Sequence, residues 1–269
     1  DAVKTGSVVM FSCELTCRVS PRTGDFVQWL AAVLYPDLFA DPKTAVQENR
    51  VLGQKPVLLD LPYVDRAEVV RHRVADAEYK SMAVRFRTPQ NVLSTLEGSR
   101  SGIRAVGNTY VPMHASLGHM AKGVDQVKTA IAENLGYAAD EYAGLMTGAD
   151  MDNLSVQKQT FQDLEVTALV TAGVRGNALR LSRDSGGYTK PGTINIMVLS
   201  NHRLSPGAMA WALVTITEAK TAALLDLDIR STYTPWDHRA TGTGTDTIIV
   251  VQGEARKQAM PAGTPRSAS

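Results

Sequence analysis

The sequence predicts an α+β fold: a single domain in which a mixed sheet is packed with helices as a layered sandwich. Three observations predict it. Strand-like apolar runs at 164–174, 193–199 and 246–251 crowd the C-terminal half. Between the last two lies the strongest helical segment of the chain, 205–227, and an earlier helical pattern covers 122–135. Strands interleaved with long helices assemble as layers of helix on sheet. No Pro/Gly-rich linker cuts the chain, so 1–259 reads as one domain. Within it, 85–252 forms the core, 1–80 is an N-terminal extension, and 260–269 is a frayed tail.

Each element has a local reason. Residues 8–17 alternate as a strand, which places Cys13 and Cys17 on one face; their spacing fits neither a zinc site nor a redox pair. A helix over 24–34 stops at Tyr35-Pro36, and 36–55, broken by proline and charge, reads as loop. Residues 58–63 and 67–74 are short apolar segments, and 82–86 and 91–96 read as two short strands. The 122–135 helix has apolar residues at 124, 127, 131 and 135, with Gly136 placed to cap its C-terminus. Ser205 is an N-cap and Pro206 a first helical residue for the long helix.

Composition narrows function. The 269 residues hold 28 Lys plus Arg and 27 Asp plus Glu, with 44% hydrophobic residues, an ordinary globular balance. Near-neutral charge without basic clusters argues against nucleic acid as a partner. No stretch reads as the roughly 20 uncharged apolar residues of a membrane span. The chain begins at Asp1, and a cytoplasmic location is expected, with export after loss of a leader as the alternative. A homo-oligomer is compatible with this composition. Five scattered histidines, with His114 and His119 off the i, i+4 spacing, lead to an expectation of no metal site.

Three segments could carry chemistry. In the long helix, Trp211, Val214, Ala222 and Leu225 form one apolar stripe, and Leu213, Ile216 and Leu224 a second, which predicts burial on two sides. Glu218 falls on the first stripe and Lys220 on the second, and a buried charge needs a partner or a ligand. Ala240-Thr241-Gly242-Thr243-Gly244-Thr245-Asp246 brings bare backbone and hydroxyls together directly before a strand, unlike a phosphate-binding loop, which precedes a helix. Thr171 to Asn177 and Gly192 to Asn195 are strand ends rich in Thr and Asn, the places where a scaffold presents functional groups.

Together these segments resemble the adenosylcobinamide amidohydrolase family. The resemblance rests on Gly144-Leu145-Met146-Thr147, Thr171-Ala172-Gly173-Val174 with Asn177 and Arg180, Gly192-Thr193-Ile194-Asn195, the run Thr217 to Leu224, and Ala240 to Asp246. It covers about 85–252, with 91–108 as the opening segment ending at Asn108. Two places depart from the family: Thr109 stands where a histidine is usual, and 178–183 lack the usual small glycine-rich residues.

The resemblance implies hydrolysis of the aminopropanol amide of adenosylcobinamide to adenosylcobyric acid, in cobamide salvage. A corrinoid is broad and apolar with an amide fringe, so neutral donors and acceptors suit it, and its cobalt arrives with the substrate rather than as a cofactor. Asp246 or Glu218 would be the base for water, with Lys220 as charge partner or oxyanion stabiliser. Asn108, Thr171, Asn177, Arg180, Thr193, Asn195, Gly242, Thr243, Gly244 and Thr245 would hold substrate. Thr171, Thr193 or Thr245 as a direct nucleophile is the second mechanism. A corrinoid-binding protein without turnover, and an amidase for another substrate, are the alternative functions.

Overall fold

In the computed structural model, the described residues are 23–39, 50–74, 77–112, 124–184 and 192–254. The expected strand with Cys13 and Cys17, His114, His119 and the 260–269 tail lie outside them. Helix α1 spans Thr23–Leu34. Strands β1 (Arg50–Val57), β2 (Val64–Val74), β3 (Ala77–Ser94) and β4 (Gly98–Tyr110) follow. Helix α2 (Val124–Asn134) leads into β5 (Tyr142–Thr147), then β6 (Ser155–Phe161), β7 (Leu164–Ala172) and the short β8 (Ala178–Leu179). The chain continues through β9 (Ile194–Ser200), α3 (Pro206–Asp226), the short β10 (Gly242–Thr243) and β11 (Thr247–Val251).

Nine strands make one curled mixed sheet, and the fold is α+β as the sequence predicts. Its main path runs β1-β2-β3-β11-β9-β7-β6, with β4 on the other edge of β3 and β5 beyond β4. Most neighbours are antiparallel. The pairs β4–β5 and β9–β11 are parallel, because α2 and α3 carry the chain back between them. The small β8–β10 pair, Gly242 with Leu179 and Thr243 with Ala178, sits apart from this sheet.

Alternation along the strands sorts side chains to the two faces. Met82, Val106, Leu145, Leu169, Met197 and Ile249 meet inside the curl. On the outer face α2 lays Val127, Ile131 and Leu135 over Val70, Ala83 and Ala105. Elsewhere on that face α3 sets Met209, Leu213 and Leu224 against Ile196, Ile248 and Val250. Gly136, at φ 84°, turns the chain out of α2 as the sequence indicates.

Several expectations need correction. The stretch read as loop up to 55 contains the start of β1. The two short strands at 82–86 and 91–96 are one 18-residue strand, β3. It runs through Pro89 because the β3–β4 register shifts between Arg85 and Gln90, where no ladder donor is required. Helix α3 is buried on one side only: its second stripe sits on the sheet, while Trp211 and Val214 remain 48% and 45% exposed. By length and composition alone α3 is also apolar enough to cross a membrane, contrary to the reading that no stretch comes near a span.

Candidate active site

The inner face changes character at one end of the curl, where apolar side chains give way to amides and hydroxyls. Asn108 on β4, Thr171 on β7 and Asn195 on β9 are each almost wholly buried. Asn108 Nδ2 donates to Thr171 Oγ1 at 2.8 Å, and Asn195 Nδ2 donates to Asn108 Oδ1 at 2.8 Å and to the Met146 carbonyl at 2.9 Å. Thr247 Oγ1 donates to Asn195 Oδ1 at 2.7 Å. Curling of the sheet is what lets β4 and β5 reach β7 and β9 here. Buried amides are held so tightly because an unmet donor or acceptor costs about 1–3 kcal/mol.

Above this network the strand ends form a rim. Thr193 Oγ1 donates to the Thr245 carbonyl at 2.6 Å, and Thr245 Oγ1 donates to the Gly192 carbonyl at 3.2 Å. Asn177 Nδ2 reaches the same Gly192 carbonyl at 3.1 Å, and its Oδ1 accepts from Tyr233 Oη at 3.2 Å. The Arg180 backbone N–H donates to Asp184, which also accepts from Ser231 and Thr234 and is held below the usual carboxylate range by these bonds, although burial opposes it. Gly244 and Thr245 are exposed, so the rim opens to solvent.

One charge pair crosses the rim. Lys220 Nζ, from α3, lies 2.5 Å from Asp246 Oδ2, with their side chains 13% and 11% exposed. The same carboxylate accepts the backbone N–H of Ile194 on Oδ1 at 3.0 Å and that of Thr243 on Oδ2 at 3.0 Å. The Thr243 hydroxyl completes the set by donating to Oδ1. Gly242 is needed for this approach: a Cβ there would stand 2.5 Å from Asp246 Oδ2 and 2.9 Å from Lys220 Nζ. Four donors fill the roughly four acceptor positions that a carboxylate has.

The structure thus brings together Asn108, Thr171, Asn177, Thr193, Asn195, Lys220, Asp246 and the 242–245 loop. It does not bring Glu218 with them. That residue lies on the exposed side of α3, two residues and about 200° around the helix from Lys220. The expectation of Glu218 as a rival base is corrected by this placement. Thr247, Tyr233 and Asp184 are additions that sequence reading missed. Thr247 was legible in principle, since parallel pairing sets it beside Asn195; Asp184 gave no signal. Among the described residues no three His, Cys, Asp or Glu side chains gather as a metal-holding group. A cavity of about 230 Å³ opens at the far end of β11, between Gln90, Arg203 and Glu254, and shares no residue with the site.

The arrangement defines a class: an α+β protein whose curled sheet ends in a neutral amide-and-hydroxyl network anchored by one buried ion pair. Comparison with known proteins makes it specific. The chain belongs to the adenosylcobinamide amidohydrolase family, whose profile matches residues 60–268. It is 37% identical over 194 residues to Uncharacterized protein MJ1613 of Methanocaldococcus jannaschii, covering 65% of this chain and 74% of that one. It is 38% identical over 107 residues to the adenosylcobinamide amidohydrolase of Methanosarcina mazei, covering 40% of this chain and 44% of that one. Among solved structures, the PH0078 protein of Pyrococcus horikoshii aligns over 83% of this chain and 78% of its own, at 10% identity and a TM-score of 0.29.

Proposed function

We propose that this chain hydrolyses the amide joining the corrin propionyl side chain to aminopropanol in adenosylcobinamide. The products are adenosylcobyric acid and aminopropanol, and the reaction serves corrinoid salvage. The observation that carries this reading is the Lys220–Asp246 pair in hydrogen-bond contact with the Thr243 hydroxyl, directly beneath exposed Gly244 and Thr245 and beside the buried amide network. A hydroxyl on a base that is itself oriented by a third group is the arrangement expected of an activated nucleophile. The Thr193 and Thr245 hydroxyls donate to backbone carbonyls and Thr171 Oγ1 accepts from Asn108, so none of these three meets the carboxylate.

In this reading Asp246 takes the proton of Thr243 as Oγ attacks the amide carbonyl carbon. The carbonyl electrons move onto oxygen, where N–H groups of the 242–245 loop other than that of Thr243, which Asp246 holds, receive them. The C–N bond then breaks, its electron pair takes the proton back from Asp246, and aminopropanol leaves. Water, deprotonated by the same carboxylate, then attacks the ester carbon; the bond to Thr243 Oγ breaks, and Oγ takes that proton back from Asp246. Lys220 holds Asp246 in place through their direct contact. Direct activation of water by Asp246 is less well supported, because water would have to displace one of the four donors. Asn108 and Asn195 brace the strand ends that carry the rim, and the exposed Leu181 and Trp236, on segments bonded to Thr241 and Asn177, suit the substrate's apolar body.

The test is incubation with adenosylcobinamide and detection of adenosylcobyric acid by mass spectrometry. Thr243→Ala should lose turnover while Thr243→Ser keeps most of it. Parental turnover by Thr243→Ala returns the role to water. Binding without product supports a corrinoid-binding protein, and the absence of both supports an amidase for another substrate.

A further inference from the structure

We propose that Asp184 is a positioning residue of this site: its carboxylate clasps the 231–238 hairpin tip to the 180–184 turn, and the clasp sets how tightly substrate is held. It rests on the function proposed above and concerns a side chain outside the reacting groups. Residues 229–240 form a closed hairpin. The Ala240 N–H donates to the Ile229 carbonyl at 2.8 Å, Arg230 bridges to Arg239, and the Ser231 N–H donates to the His238 carbonyl at 3.0 Å. The tip carries Tyr233 and Trp236, and the indole is 93% exposed. An aromatic side chain held out in solvent by a tied loop is suited to recognition, because it offers a large contact area with little freedom to lose. Tyr233 Oη donates to Asn177 Oδ1 at 3.2 Å. Asn177 stands beside the reacting loop, where a Cβ on Gly244 would lie 3.9 Å from its Nδ2. The segment on the other side is tied to the same loop: the Thr241 N–H donates to the Leu179 carbonyl at 2.9 Å, and the Leu181 N–H donates to Thr241 Oγ1 at 3.1 Å.

Asp184 joins the two segments. Its Oδ2 accepts the Arg180 N–H within its own turn and the Ser231 hydroxyl at 2.8 Å, and its Oδ1 accepts the Thr234 hydroxyl at 2.7 Å. Ser231 Oγ itself accepts the N–H groups of Tyr233 and Thr234, at 3.0 and 3.2 Å. Its own hydrogen is therefore directed to Asp184, and position 184 must present an acceptor there. Ser231 is 1% exposed, so a hydroxyl left unmet would carry its desolvation cost in full. The turn built on that hydroxyl is the one that places Tyr233 and Trp236. Without the acceptor it loosens, and substrate has to order it on binding, which weakens affinity. Lys220, Asp246 and Thr243 are held by bonds of their own, so the chemical step keeps its geometry.

The test is steady-state hydrolysis of adenosylcobinamide by the full chain and its variants, with amide hydrogen exchange followed across 231–241. Asp184→Ala should raise KM by about tenfold, the worth of one charge-assisted hydrogen bond, while kcat stays within about twofold of parental. Exchange across 231–241 should quicken in the same variant. Asp184→Asn can keep all three bonds: its oxygen takes the Arg180 N–H and the Ser231 hydroxyl, and its amide donates to Thr234 Oγ1. It should therefore restore the parental KM and exchange. Thr234→Val gives up only the Oδ1 bond and should raise KM by a smaller factor; it carries the test if Asp184→Ala does not fold. Loss of kcat in Asp184→Asn assigns the carboxylate to the chemical step and overturns the proposal. A parental KM in folded Asp184→Ala, or in Thr234→Val where that variant carries the test, overturns it as well. Parental protein that neither binds nor converts adenosylcobinamide overturns the proposed function and this role together, whereas an active parent indifferent to Asp184 overturns this role alone.

Discussion

Two strand–helix–strand crossovers, β4–α2–β5 and β9–α3–β11, have the same plan and different contents. Each joins parallel strands through a helix on the outer face. Each covers or delivers a buried ion pair. Beneath α2, Arg85 Nε meets Glu68 at 2.8 Å, with side chains 8% and 7% exposed. Arg85 also donates to the Leu135 carbonyl at the end of α2 and lies 5.4 Å over the Tyr137 ring. Every group around that pair belongs to the packing of helix on sheet. The Lys220–Asp246 pair is almost as buried, yet it stands at a strand mouth beside exposed Gly244 and Thr245, among hydroxyls and loop amides. Burial of charge is common to both, so what separates a site from a structural brace is the company at its open edge.

The comparison can be broken most directly at Asp246. Asp246→Asn should lower turnover by about 10²–10⁴-fold if the carboxylate acts as base, measured at saturating adenosylcobinamide on folded protein. If it only anchors the loop, stability and binding fall together and turnover stays near parental. Under α2 the expectation reverses. Glu68→Gln leaves Arg85 buried without a counter-charge and should cost about 3–5 kcal/mol in denaturant unfolding, while turnover of the folded fraction is unchanged.

The third test uses acid. His72 lies wholly buried on the outer face, its Nε2 2.7 Å from Ser81 Oγ, and burial lowers its pKa from 6.5 to about 4. Between those values the unfolded chain binds a proton that the folded one refuses. Stability should therefore fall as pH drops from 6.5 towards 4, by about 3 kcal/mol in all. His72→Phe should remove that part of the slope and leave the rest. The smallest effect is expected at the entrance to α3, where Ser205 Oγ accepts from the Ala208 N–H at 3.1 Å. Ser205→Ala should cost about 1 kcal/mol in thermal or denaturant unfolding.

Legibility in the sequence followed the strength of local physics. The start of α3 was readable because Ser205 and Pro206 are strong start signals, and β9 and β11 because their apolar runs are buried on both faces, with β7 buried on one and half-buried on the other. Strand β6, Ser-Val-Gln-Lys-Gln-Thr-Phe, was not, since this edge strand is mostly exposed and carries almost no apolar pattern. Strand β4 hid behind Gly98, Gly102 and a polar start. For the site, Asn108, Thr171, Asn195 and the Gly/Thr loop were legible as types of residue at strand ends. Their mutual bonds were not, because those depend on the curl of the sheet. Glu218 was misplaced because two apolar stripes were taken to mean two buried sides. A single chain buries only one of them.

The length of β3 has a consequence for how the protein forms. Its first half pairs with β2, and its other edge with β4, through nearby segments of chain that can join early. Its last residues, Val92 to Ser94, wait for Val251 to Ile249, more than 150 positions later in the sequence. Contacts so far apart in sequence close slowly. Because Asp246 and Thr247 enter with that same last strand, the site is assembled at the end of folding. A nascent chain still lacking β11 would hold much of its sheet and none of its charge pair. In refolding, hydrolysis should return with the slowest phase, after most of the strand signal has already recovered.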